Sequence, residues 1–129
     1  MAVRSGAKAN DALIRAFVGD WERRDTDAVL TYFTEGAVYH CLPLTPIVGK
    51  PALAVWVRGF ESTPPARLDI HHQIASLEVV MNERTDHITL NGRAVVLPIC
   101  AVFELEGERI KAWREYLDLT PARAAFENS

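Results

Sequence analysis

Arg84 and Asp86 stand two residues apart in LEVVMNERTDHITL, a stretch that otherwise alternates like a β-strand. Alternate side chains of a strand share a face, so Asn82, Arg84 and Asp86 fall with Val80, Ile88 and Leu90 on the side expected to be buried. A second acid, Glu115, lies in the later strand-like segment RIKAWREYLDL. Two buried carboxylates and one guanidinium carry a net negative charge in low dielectric, and keeping one proton between the acids lowers that cost. Such a trio holds a carboxylic acid beside a carboxylate near neutral pH, with Arg84 able to bridge them bidentately. Its chemistry is a general acid facing a general base. The competing reading is a solvated surface pair, since sheets with one wet face are common.

Whether the three meet depends on the turns between their strands. Asn91-Gly92 is a strong two-residue hairpin signal, which sets Arg84 opposite Ile99 and Asp86 opposite Leu97. A three-residue turn at Glu106-Gly107-Glu108 then matches Ile99 with Glu115 and Leu97 with Leu117. Arg84, Ile99 and Glu115 form one row, with Val95, Ala101, Phe103 and Trp113 filling the same face. Arg84 and Glu115 are then two strand spacings apart, roughly 10 Å between backbones, a gap that long side chains on a concave sheet can close. A one-residue slip at the second turn would carry Glu115 to the other side. Tyr39, whose hydroxyl could hold a water, and Cys41 share a parity in AVYHCLPL. A core tyrosine is the competing fate for Tyr39. His71 and His72 are expected on opposite faces, with His40 and His87 on the outer parity.

The elements that position these residues begin with an amphipathic helix over about 9–24, carrying Leu13, Phe17 and Trp21 with Ile14 and Val18 beside them. DTDAVLTYF restarts a helix with Asp25 or Thr26 as cap and Val29, Leu30 and Phe33 inward, and Gly36 ends it. AVYHCLPL is a short strand broken at Pro43. Pro51 opens a third helix, PALAVWVRGF, which STPP terminates. Strands then follow in ARLDIHHQIASL, Glu78–Leu90, RAVVLPICAVFEL and RIKAWREYLDL, with a short helical tail in TPARAAFENS. Helices followed by an antiparallel meander predict an α+β fold, the sheet curled around the helices.

Length and composition place these elements in one domain over residues 1–129, with 49% hydrophobic and 24% charged residues. A net charge of −3 argues against a nucleic-acid partner or an anionic membrane. Apolar runs are too short to span a bilayer and the N-terminal residues lack the apolar core of a signal peptide, so a cytoplasmic location is expected. Cys41 and Cys100 are expected as free thiols, and the histidines, cysteines and acids lack metal-ligand spacing. Neither a phosphate loop nor a dinucleotide fingerprint nor a nucleophile elbow is present.

A reaction that needs an acid and a base on opposite sides of a small apolar substrate is epoxide opening. A proton reaches the ring oxygen while an activated water attacks carbon from behind. NERTD, the hairpin after it and CAVFELEGERIKAWREYLDL together resemble the limonene-1,2-epoxide hydrolase family, and AVYHCLPL resembles its preceding strand. The likeness runs from about residue 10 to 120. It implies an α+β cone, a curved, mixed but mainly antiparallel sheet packed against three N-terminal helices, as in nuclear-transport-factor-two-like and cystatin-like proteins. It also implies water addition in one step, without cofactor or metal, by a homodimer. By this resemblance Arg84 is the bridging arginine, Asp86 the proton donor and Tyr39 the water-holding tyrosine. Glu115 stands where the family usually has Asp, and Cys41 where it has the Asn that helps hold the water. Asn82, on the same strand face, is a candidate substitute for that amide. Val18, Trp21, Cys41, Ile88, Leu97, Ile99 and Leu117 would line the substrate cavity. Two other functions stay open: an isomerase or cyclase of steroid- or polyketide-like carbonyl compounds, and a non-catalytic small-molecule-binding domain.

Overall fold

Ile14, Phe17, Val18 and Trp21 recur at helical spacing and are buried by α1 (Ala7–Glu22) in a computed structural model of the protein, which describes residues 6–127. The helix ends two residues before its expected limit. The Arg24 amide donates to the Trp21 carbonyl and the Asp25 amide to the Asp20 carbonyl, the paired closure of a Schellman turn. Arg24 holds the left-handed position of that turn, at φ 59°, where glycine is usual. For a residue with a Cβ this conformation costs roughly 1–2 kcal/mol.

Asp25 caps α2 (Thr26–Thr31), accepting from the Ala28 amide at 3.1 Å. The chain then turns directly into β1 (Phe33–Cys41), so Gly36 lies within a strand and ends no helix. Phe33 is buried from β1, not from the helix. A two-residue strand, β2 (Ile47–Val48), was not expected; it pairs with Val38 and Tyr39. α3 (Lys50–Arg58) follows with proline in its first turn. Among the described residues no helix is long and apolar enough to cross a membrane.

The second half supplies β3 (Arg67–Ala75), β4 (Val79–Leu90), β5 (Arg93–Glu106), β6 (Arg109–Leu117) and a short α4 (Thr120–Ala124). The six strands form one mixed sheet in the order β2-β1-β6-β5-β4-β3. All neighbours are antiparallel except β1 and β6, which run parallel and bring Tyr39 beside Trp113 and Cys41 beside Glu115. α1 packs across β3 and β4, and α3 against β1. Phe17 meets Phe33, Phe103 and Trp113 edge-on, with ring centroids 5.2–5.8 Å apart, and anchors α1 to the sheet.

The first hairpin has the expected register: Leu90 pairs with Arg93, Asp86 with Leu97 and Arg84 with Ile99. Asn91 and Gly92 both take positive φ, 53° and 74°, as a type I′ turn requires. The second hairpin differs. Glu106 pairs with Arg109, so the turn is two residues, Gly107-Glu108, which alone would reverse the parity of β6. A bulge at Lys111 reverses it again: Leu105 pairs with Ile110 but Glu104 with Ala112. Glu115 therefore keeps the inner face, but stands opposite Ala101, not Ile99, and Ile99 faces Leu117. A second bulge, between Ile70 and His72, changes the histidine expectation. His71 and His72 are both exposed, bonding Thr85 and Glu83 on the outer face instead of pointing to opposite sides.

Candidate active site

With that register, Asn82, Ala101, Glu115 and Cys41 form one row across four strands. Arg84 sits one inward position along β4, with Asp86 beyond it. The guanidinium donates from Nη1 to Asn82 Oδ1 (3.2 Å) and from Nη2 to Glu115 Oε2 (2.6 Å). It therefore lies over Ala101, whose single methyl leaves the space between those partners. On its other edge Nε and Nη2 grip Asp86 Oδ1 and Oδ2, each at 2.9 Å. One nitrogen, Nη2, thus serves both carboxylates. Arg84 is 3% exposed, and Asp86 and Glu115 are each 7% exposed, which excludes the solvated-pair reading for these residues.

Tyr39 completes the cluster by donating its hydroxyl proton to Glu115 Oε1 at 2.6 Å. Its ring is stacked on Trp56 of α3, 4.3 Å between centroids, and inclined to Trp113 at 4.5 Å. Burial, then the neighbouring charge of Glu115, holds the Tyr39 hydroxyl well above its usual pKa, so it remains a donor. Burial raises Asp86 above the ordinary carboxyl value, although Arg84 pulls against that shift. For Arg84 itself burial acts downward, but Glu115 and Asp86 outweigh it and keep the guanidinium charged. Burial and Glu115 also raise the Cys41 thiol, which stays neutral.

These groups open into a cavity of about 450 Å³, a size suited to a small organic molecule. Arg84, Asp86, Glu115 and Tyr39 lie on its wall, and so do Val18, Trp21, Cys41, Ile88, Leu97, Ile99 and Leu117. Phe103 and Trp113, which the sequence reading put on the same sheet face, also lie on the wall; it missed Trp56 of α3, Phe60 in the turn after it, Thr45, Phe126 of the tail and, most consequentially, Arg24. Asn82 is not on the wall. Its carbonyl is taken by Arg84 and its amide donates to Gln73 Oε1 at 3.0 Å, so it cannot replace the amide that Cys41 lacks. Gln73 in turn donates to Asp11 Oδ1 on α1 at 2.8 Å. No group of three His, Cys, Asp or Glu side chains among the described residues is arranged to hold a metal ion.

The fold is shared with an NTF2-like protein of unknown function from Burkholderia pseudomallei K96243, at 19% identity and a TM-score of 0.81 over 93% of this chain and 98% of that one. The limonene-1,2-epoxide hydrolase catalytic domain matches residues 8–125, and the chain belongs to that family. It is 28% identical over 106 residues to epoxide hydrolase EphG of Mycobacterium tuberculosis (strain ATCC 25618 / H37Rv), covering 82% of this chain and 71% of the relative. A solved LEH-like epoxide hydrolase of M. tuberculosis superposes with a TM-score of 0.82 at 25% identity, covering 95% of this chain and 91% of that one. At 17% identity the fold is shared with the epoxide hydrolase/cyclase-like enzyme SalBIII, described as having a role in pyran ring formation in polyether salinomycin. The TM-score is 0.80 over 88% of this chain and 94% of that one.

Proposed function

We propose that the protein is a cofactor-independent epoxide hydrolase that adds water in one step to a small, largely apolar epoxide, giving a vicinal diol. The observation that carries this reading is the placement of two buried carboxyls on one guanidinium nitrogen at the wall of an apolar cavity. Asp86, raised by burial, is the acid that protonates the ring oxygen as its bond to carbon breaks. Glu115 is the base: it takes a proton from the water whose oxygen forms the new bond to carbon. Tyr39 keeps its own proton on Glu115 and offers its oxygen as an acceptor to that water. Each turnover moves one proton from Asp86 to Glu115, and exchange with solvent returns it. Arg84 stays charged throughout and holds both acids at fixed orientation. The longer Glu115 suits the observed register, because the acid must reach Nη2 from the Ala101 row and not from directly across Arg84. A homodimer is part of this reading, and the exposed Ile74, Met81, Val96 and Tyr116 on the outer sheet face would suit it.

The test is a single turnover in ¹⁸O-water with a panel of cyclic and aryl epoxides. One-step addition places the label in the first diol formed, whereas a carboxylate ester intermediate would deliver an unlabelled protein oxygen. Absence of turnover of every epoxide by folded protein would overturn the assignment. The alternative, an isomerase or cyclase, gives a product of unchanged mass that carries no label. Cys41 favours that alternative to the extent that a thiol holds a water poorly beside Glu115.

A further inference from the structure

Among the described residues four charged side chains line the cavity: the Arg84, Asp86 and Glu115 of the cluster, and Arg24. Arg24 comes from the end of α1, and its guanidinium lies over the rings of Trp21 and Phe60, 5.8 and 5.4 Å from their centroids. Its Nε donates to the Pro64 carbonyl at 3.2 Å and Nη1 to the Trp21 carbonyl at 3.4 Å. These bonds hold the group in place and leave its other N–H donors without an acceptor among the described residues. No carboxylate among them forms an ion pair with it. Asp86 is close enough for its charge to oppose the effect of burial on Arg24.

Closing the helix does not account for an arginine here. The Schellman turn uses only the backbone of residue 24, and its left-handed φ of 59° is a position where glycine is unstrained. Strain of this kind, kept where a cheaper residue exists, points to a use for the side chain. The charge names the use. Arg24 is half-buried at the cavity wall and has no carboxylate partner of its own among the described residues, so the cavity presents a cation to whatever enters it. A substrate bearing one carboxylate supplies that partner.

We propose that Arg24 is a specificity-determining residue that binds the carboxylate of an amphiphilic epoxy acid, whose apolar body lies along the cavity and whose epoxide meets Asp86 and Glu115. A carboxylate is the matching anion because its two oxygens fit the planar fork of a guanidinium. The proposal rests on the hydrolase reading for the epoxide end, and the anion site can be tested without it.

The test compares octanoate with methyl octanoate, binding being read from the fluorescence of the cavity tryptophans, and 7,8-epoxyoctanoate with its methyl ester, read as kcat/KM. Wild-type protein is expected to bind octanoate at least tenfold more tightly than the ester and to favour the epoxy acid by a similar factor. Arg24→Met collapses both ratios to near one, and Arg24→Lys restores part of them. Arg24→Gly relieves the backbone strain but loses the bonds to Pro64 and Trp21, and it too collapses the ratios; a cooperative melt of each variant shows that the loss of selectivity does not come from a failure to fold. An acid-to-ester ratio near one in the wild type, or a ratio unchanged in Arg24→Met, overturns the proposal. Selective octanoate binding that depends on Arg24, without turnover of either epoxide, keeps the anion site and overturns the hydrolase reading. Turnover of both epoxides without acid preference does the reverse.

Discussion

Replacing Arg84 with Met deletes the one cation among the described residues that contacts both buried acids. The variant keeps most of the side-chain volume, so the loss is electrostatic more than one of packing. Four hydrogen bonds disappear, two to Asp86 and one each to Glu115 and Asn82. Breaking a buried ion pair from one side costs about 3–5 kcal/mol, because it strands the partner charge. For a chain of this length that corresponds to a fall in Tm of roughly 10–20 °C near neutral pH. The loss should depend on pH, with a definite sign. Asp86 already sits above its ordinary value, mainly through burial, and Arg84 is the group that opposes that rise. Without Arg84 its folded-state pKa climbs further above the unfolded one, so the folded state binds the proton more tightly. Stability is then present at acid pH and lost as pH rises through the raised value. Thermal melts of wild type and variant from pH 4 to pH 8 should show the gap in Tm widening with pH. A constant gap, or none, would refute the description of the cluster as two desolvated acids held by one cation.

Asp86→Asn should lower kcat/KM for an epoxide by about 10²–10⁴-fold, the usual contribution of a general acid, while the far-ultraviolet circular dichroism is unchanged. In the wild type, activity should persist above the ordinary carboxyl value of 3.8 and fall as pH rises through the raised pKa of Asp86. A pH–rate profile with that limb missing in Asp86→Asn would tie it to this residue. Deleting Lys111 removes the extra residue of the bulge and leaves Leu105 opposite Ile110 and Glu104 opposite Ala112 in an uninterrupted ladder, so Trp113, Glu115 and Leu117 keep the inner face. The deletion variant should stay folded and active in a thermal melt and an epoxide assay; an unfolded or inactive protein would refute the assignment of Lys111 as the bulged residue.

Much of the fold and part of the candidate site were legible because their signals are local. The Asn91-Gly92 turn specifies its own register, and that register alone ties Arg84 and Asp86 to Ile99 and Leu97. Glu115 was assigned to the correct face through two departures that cancel, a shorter turn and the Lys111 bulge. Neither leaves a mark in residue type, since Gly107 fits either turn and lysine is unremarkable at a bulge. The parallel pairing of β1 with β6 is a contact between distant segments, and alternation within AVYHC does not report it. Arg24 was invisible for the opposite reason. Residue preference argues against an arginine at a left-handed position, so only the backbone conformation exposes what its side chain is doing.

The chain of amides behind Arg84 has a direction. A guanidinium has only donors, so Asn82 must turn its carbonyl toward Arg84 and its NH₂ toward Gln73. Gln73 must then present its own NH₂ to Asp11, whose pKa is lowered first of all by that bond. The sign of the charge inside the cavity is in this way transmitted through two side-chain amides to a carboxylate at the edge of α1. Asp11 is a remote reporter: its titration, followed by NMR, registers from the outside of the protein whether Arg84 is in place.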